Sequence, residues 1–137
     1  MTTQYWLVKS EPATYSWEQL VRDRSTAWTG VRNYSARIHL KAMKRGDRVL
    51  FYESMTTKAV VGLAEVTRPA FPDTTAAEPG WVAVELKAVK ALPRPVTLNQ
   101  VKVEPALKDM VLLRISRLSV QPVAKVEYEK IATMAGV

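Results

Sequence analysis

The chain has 137 residues, close to the modal length of one folded domain, and 47% of them are hydrophobic, which excludes a disordered chain. Lys and Arg number 20 against 13 Asp and Glu, a formal net charge of +7, so a polyanion, nucleic acid first, is the expected partner. Cysteine is absent, which excludes a disulfide scaffold, a thiol nucleophile and a thiolate metal site.

In chain order, MTTQYWLVK lacks the basic and apolar regions of a signal peptide, and no later run approaches the roughly 18 apolar residues of a membrane helix. A soluble, cytoplasmic monomer with no membrane partner is expected. YWLVK (5–9) reads as a short apolar strand that ends before Pro12. Ser16 and Gln19 have the spacing of a capping box, and Trp17, Leu20 and Val21 then fall on one helical face. A second helix is expected from about Asn33 to Lys44, with Ala36, Leu40 and Met43 on a shared face and Gly46 as its stop.

The hydrophobic period then switches to two. RVLFYES (48–54) reads as a dense apolar strand, and KAVVGLAEV (58–66) as its neighbour. PAFPDTTAAEPG (69–80) carries three prolines and a glycine and is expected to be an irregular surface loop. In WVAVELKAV (81–89), Val82, Val84, Leu86 and Ala88 face one way, and Trp81, Ala83, Glu85 and Lys87 the other. After a Pro-flanked connection, RLSVQPV (117–123) reads as a last strand, and a terminal helix from about Lys125 aligns Tyr128, Ile131, Ala132 and Ala135. No repeat or linker interrupts the sequence, so one domain over 1–137 is expected. Strands in the middle with helices toward the ends indicate an α+β class, a compact mixed barrel rather than alternating βαβ units.

Enzymatic chemistry finds little support. His39 lies mid-helix without a partner, and the carboxylates form no acid/base or metal-ligand motif. All five glycines are isolated, so there is no phosphate loop. Ser10, Ser54 and Ser119 lack a visible base. No catalytic activity, metal or cofactor is expected.

Recognition of a nucleobase requires aromatic faces, polar groups for the base edge and cations for phosphate. These concentrate in KSEP (9–12), WTGVRNYSAR (28–37) and FYES (51–54). Strand alternation puts Tyr52 and Ser54 on one face, opposite Val49, Phe51 and Glu53. Asn33 and Arg37, four apart, share a helical face. Trp6, Trp17 and Trp81 are expected in the core; Trp28, beside a threonine and a glycine and outside any periodic pattern, fits either core or cleft. Tyr52, in an apolar strand, also fits the core. Arg32 and Arg37 fit either phosphate contacts or pairing with carboxylates.

The runs YWLVKSEPATYSW, WTGVRNYSAR, LKAMKRGDRVLFY, VVGLAEV and RLSVQPV, in this order over nearly the whole chain, resemble the EVE domain family. The resemblance implies a PUA-like fold, a small twisted β-barrel flanked by helices, that binds a nucleic-acid base, modified and flipped into an aromatic pocket. By similarity to the related YTH domains, it places Lys9, Ser10 and Trp28 at that pocket, with Asn33, Tyr52 and Ser54 as further contacts. Arg32 and Arg37 would supply charge for phosphates. Where many members read Tyr-His-Ser, this chain has Tyr52-Glu53-Ser54, a carboxylate that only accepts hydrogen bonds. Whether the polymer is DNA or RNA stays open. So do two other ligands: structured RNA bound by shape irrespective of modification, and a small metabolite or free nucleobase.

Overall fold

The computed structural model describes residues 3–137. Strand β1 (Tyr5–Ser10) runs parallel to β3 (Arg48–Glu53) and antiparallel to β6 (Val120–Val123). Strands β4 (Ala59–Pro72) and β5 (Val82–Thr97) form a long antiparallel ribbon against β3, and β2 (Ser25–Ala27) pairs with β5. The result is a six-stranded mixed sheet in the order β2-β5-β4-β3-β1-β6. Five helices accompany it: α1 (Trp17–Asp23), α2 (Tyr34–Ala42), α3 (Leu98–Val103), α4 (Val111–Arg114) and α5 (Lys125–Ala135).

The α+β class holds, but the expected barrel does not form. The hydrogen-bonded ladder stops at β2 on one side and at β6 on the other. Four register shifts interrupt the β4–β5 ribbon, and such bulges bend a sheet locally without joining its edges. Both faces of the central strands are buried instead. Trp6 and Val8 of β1 and Val49 and Phe51 of β3 point into one hydrophobic cluster, with Trp17 and Leu20 of α1 and Ala36 and Leu40 of α2. Leu7, Leu50 and Tyr52 point into a second, with Val60, Val101, Ile131 and Ala135.

The same bulges correct the reading of 69–80 as irregular throughout. β4 continues through Pro69 to Pro72, because the register slips between Val66↔Leu86, Arg68↔Glu85 and Phe71↔Ala83. Pro69 therefore sits where no ladder donor is required. β5 likewise passes through Pro93 and Pro95, between the Gly62↔Ala91 and Val60↔Val96 pairs. Val21, expected on the packed face of α1, is 50% exposed. The segment 98–116 holds α3, α4 and an intervening 3-10 turn (Pro105–Leu107), where only a connection is expected from the sequence. Its overlooked signal is the Thr97–Gln100 capping box.

Helix α1 begins as the sequence indicates, with the Ser16 hydroxyl accepting from the Gln19 N–H and the Gln19 side chain accepting from Ser16. A third contact comes from β3: Glu53 accepts from the Trp17 N–H at 2.9 Å. The Trp17 indole lies directly on Gly62 of β4, where a Cβ would stand 2.5 Å from three ring atoms. Glycine is what allows the helix to approach the sheet so closely.

Candidate nucleic-acid interface

The segment 28–37 leaves the sheet at the end of β2 and turns into α2. The Trp28 N–H donates to the Val84 carbonyl, extending the β2–β5 pairing by one residue. Gly30 then takes φ +86°, a left-handed conformation open to glycine at no steric cost. The Gly30 N–H donates to Asp73 Oδ2 at 2.9 Å, and Arg32 Nη1 donates to the same oxygen at 2.9 Å. Thr75 donates to the other oxygen through its hydroxyl (2.6 Å) and its backbone N–H (2.9 Å). The Asp73 side chain is wholly buried, yet four donors surround it. Burial alone opposes ionisation; the bonds from the Thr75 hydroxyl, Gly30, Arg32 and the Thr75 N–H outweigh it and hold the carboxyl well below the usual range. Asp73 thus ties the 28–32 loop to the segment after β4.

This loop walls one side of a cleft of about 520 Å³. The other side is the end of β1 and the turn after it. Lys9, Ser10, Tyr15, Trp28, Gly30 and Arg32 all line it, drawn from three separate stretches of the chain. Trp28 is 8% exposed and edge-to-face with Tyr15 (6.1 Å) on one side and Phe51 (5.7 Å) on the other. It is therefore a core residue that also presents a surface to the cleft. The Ser10 hydroxyl donates to the Tyr15 carbonyl at 2.6 Å, and its oxygen retains acceptor capacity. Lys9 lines the cleft, but its ammonium donates to the Ser116 carbonyl and lies 5.9 Å from the Tyr52 ring centroid. Burial lowers its pKa from the ordinary lysine value.

Of the remaining expected site residues, only Arg32 reaches the cleft. Tyr52 is 4% exposed and packs in the cluster on the opposite face with Leu7 and Leu50; burial raises its pKa. Ser54 continues the β1–β3 pairing through its N–H, which donates to the Ser10 carbonyl. Asn33 is the N-cap of α2, its side-chain oxygen accepting from the Ala36 N–H at 2.9 Å. Arg32 reaches Asp73 and Thr75 from the cleft rim. Arg37 donates to the Gly80 carbonyl and sits over Tyr34 and Trp81. Trp81, expected in the core, is only half-buried. Glu53 faces α1, away from Tyr52, as strand alternation requires. Tyr15, Thr26 and Asp73 are the site-building residues that the sequence did not single out. Among the described residues, no three His, Asp or Glu side chains come together as a metal site, and no helix is long and apolar enough to cross a membrane.

An open six-stranded α+β sheet with a polar, aromatic-walled cleft beside its β1 end defines the class of fold. The EVE domain family model matches residues 4–134, and the chain belongs to that family. Human thymocyte nuclear protein 1 is 31% identical, covering 96% of this chain and 74% of the relative. A solved structure of a Rhodopseudomonas palustris protein is 51% identical with a TM-score of 0.93, covering 98% of this chain and 94% of that one. The human thymocyte nuclear protein in complex with 5-methylcytosine-containing DNA is 30% identical with a TM-score of 0.91, covering 98% of this chain and 99% of that one.

Proposed function

We propose that this chain is a non-enzymatic nucleic-acid-binding module that recognises a modified nucleobase flipped into the cleft. The observation that carries the reading is the convergence of Lys9, Ser10 and Trp28 on one cleft of about 520 Å³, large enough for a base and its sugar. Membership of the EVE domain family supports it, because a human relative is solved with 5-methylcytosine-containing DNA. In this reading the Trp28 ring supplies a rigid stacking wall and Ser10 meets the polar edge of the base. Such stacking is worth roughly 1–3 kcal/mol. The net charge of +7 draws the strand in, and Arg37, with one donor on Gly80, keeps others for phosphate. Arg32 stands at the rim, but its bond to Asp73 gives it a structural share as well.

The reading is tested by titrating short DNA and RNA oligomers with different base modifications at two salt concentrations. One modified base should bind at least about tenfold more tightly than its unmodified parent, in a salt-dependent manner. Ser10→Ala should erode that preference while the protein stays folded. Equal binding of modified and unmodified structured RNA would transfer the function to shape recognition. Salt-independent binding of a free nucleobase or metabolite would remove nucleic acid from the account.

A further inference from the structure

Beside the cleft, the surface carries a feature of which the base-binding reading uses only Arg37. Tyr34 opens α2 and is 67% exposed, an unusual setting for a large ring. Its ring stacks at 5.2 Å, tilted by 31°, against Trp81 from the far side of the 73–81 segment. The Arg37 guanidinium sits 4.9 Å from both ring centroids and is pinned by its bond to the Gly80 carbonyl. Gly80 has φ +96°, and a Cβ there would stand 3.3 Å from the Arg37 Nη1. The assembly is therefore held in place before any ligand arrives. It is also continuous with the cleft: Arg32, on the cleft rim, lies 5.8 Å from the Trp81 ring centroid.

An exposed aromatic ring with a guanidinium packed over it, 4.9 Å from its centroid, can stack a base on its open surface and hold that base's phosphate. The Tyr34 ring belongs to neither hydrophobic cluster. We infer that the Tyr34–Arg37–Trp81 group is a second nucleotide subsite, which stacks an unpaired base neighbouring the one recognised in the cleft. Tyr34 supplies the face and Arg37 the phosphate contact. The ligand is accordingly a single-stranded or locally opened segment, read over more than one nucleotide. This inference rests on the proposed function for the register of the strand, but not for the existence of the platform.

The test uses the full chain and three probes: a nucleoside monophosphate bearing the preferred modified base, the same base within a short single strand, and that strand with abasic neighbours. Tyr34→Ala should weaken the intact strand about tenfold or more and leave the monophosphate unchanged. Abasic neighbours should weaken the wild type to a similar degree and have no further effect on Tyr34→Ala. Tyr34→Trp and Tyr34→Phe should retain binding, whereas Arg37→Ala should also reduce the salt slope. Thermal melts verify that each variant is folded. Equal affinity of wild type and Tyr34→Ala for the intact strand overturns the subsite, as does indifference to abasic neighbours. If Tyr34→Ala weakens unmodified and modified strands alike and no base is preferred, the subsite stands and the modified-base reading falls. Failure of any oligomer to bind overturns both.

Discussion

The two faces of the sheet are built from different materials. On the α1/α2 face, Trp17, Phe51, Trp28 and Tyr15 form a chain of rings in edge-to-face contact that runs from the core to the cleft. On the α5 face the cluster is mainly aliphatic, with Leu7, Leu50, Val60, Val96 and Ile131 wholly or almost wholly buried. Aliphatic side chains fill space from any direction, whereas rings meet in a few orientations. The difference teaches where rigidity has been placed. The wall of the cleft is the exposed end of an interlocked aromatic row, so its orientation is set by the core, while the α5 face has only to be filled.

The sharpest way to break that comparison is to remove one residue from each face. Trp28→Ala should cost about 3–5 kcal/mol of stability and abolish cleft binding together. Ile131→Ala should cost about 2–5 kcal/mol while the folded fraction binds as before. Denaturant melts combined with titrations at low temperature separate the two; intact cleft binding by folded Trp28→Ala would refute the aromatic wall. A smaller effect is expected from Gly62→Ala, which forces the Trp17 ring off β4. Overpacking should cost roughly 1–3 kcal/mol, read as a lower melting temperature, and the displaced ring should alter the indole fluorescence.

Asp73→Asn tests the tie between the cleft loop and the segment after β4. A charge removed from a buried cage of donors should cost roughly 1–3 kcal/mol. The pH dependence has a definite sign. The folded pKa of Asp73 lies below its unfolded value of about 3.9, so its contribution is fully present above that value and fades as pH falls further. The wild type should therefore lose stability below about pH 4, and Asp73→Asn should lose less over the same range. The smallest effect belongs to Glu53→Ala, which removes the bond to the Trp17 N–H and should cost about 1 kcal/mol, as for a lost helix cap. Its effect on affinity should be slight; a changed base preference would show that Glu53 acts on the ligand directly.

What was legible in the sequence was local. The Ser16–Gln19 box, the alternation of Val82, Val84 and Leu86, and the Tyr128–Ile131–Ala135 face each depend on residues a few positions apart. Asp73 was not legible, because its partners Gly30 and Arg32 lie 43 and 41 positions away and a lone aspartate among prolines looks like any loop residue. The length of β4 was hidden by Pro69, since the bulge that tolerates it arises only from pairing with β5. Of the expected site residues, the sequence grouped Lys9, Ser10 and Trp28 by resemblance, and all three line the cleft. The resemblance also placed Tyr52 and Ser54 near the pocket, but the Tyr52 ring packs in the cluster on the other face. Asn33 has the composition of a base reader and the position of a helix cap; the cap bond is what forms.

The order of strands has a consequence for how the molecule comes together. β1 lies between β3 and β6, so Leu7 aligns with Gln121 near the other end of the described chain. The β3–β4–β5 portion can pair through neighbours in sequence, while the β1–β6 pair must close a loop of almost the full chain length. Pairings so distant in sequence slow folding and come late in synthesis. During translation β1, with its apolar Trp6, Leu7 and Val8, waits without one of its two partners until the last strand emerges, and the cleft whose side it forms is completed only then.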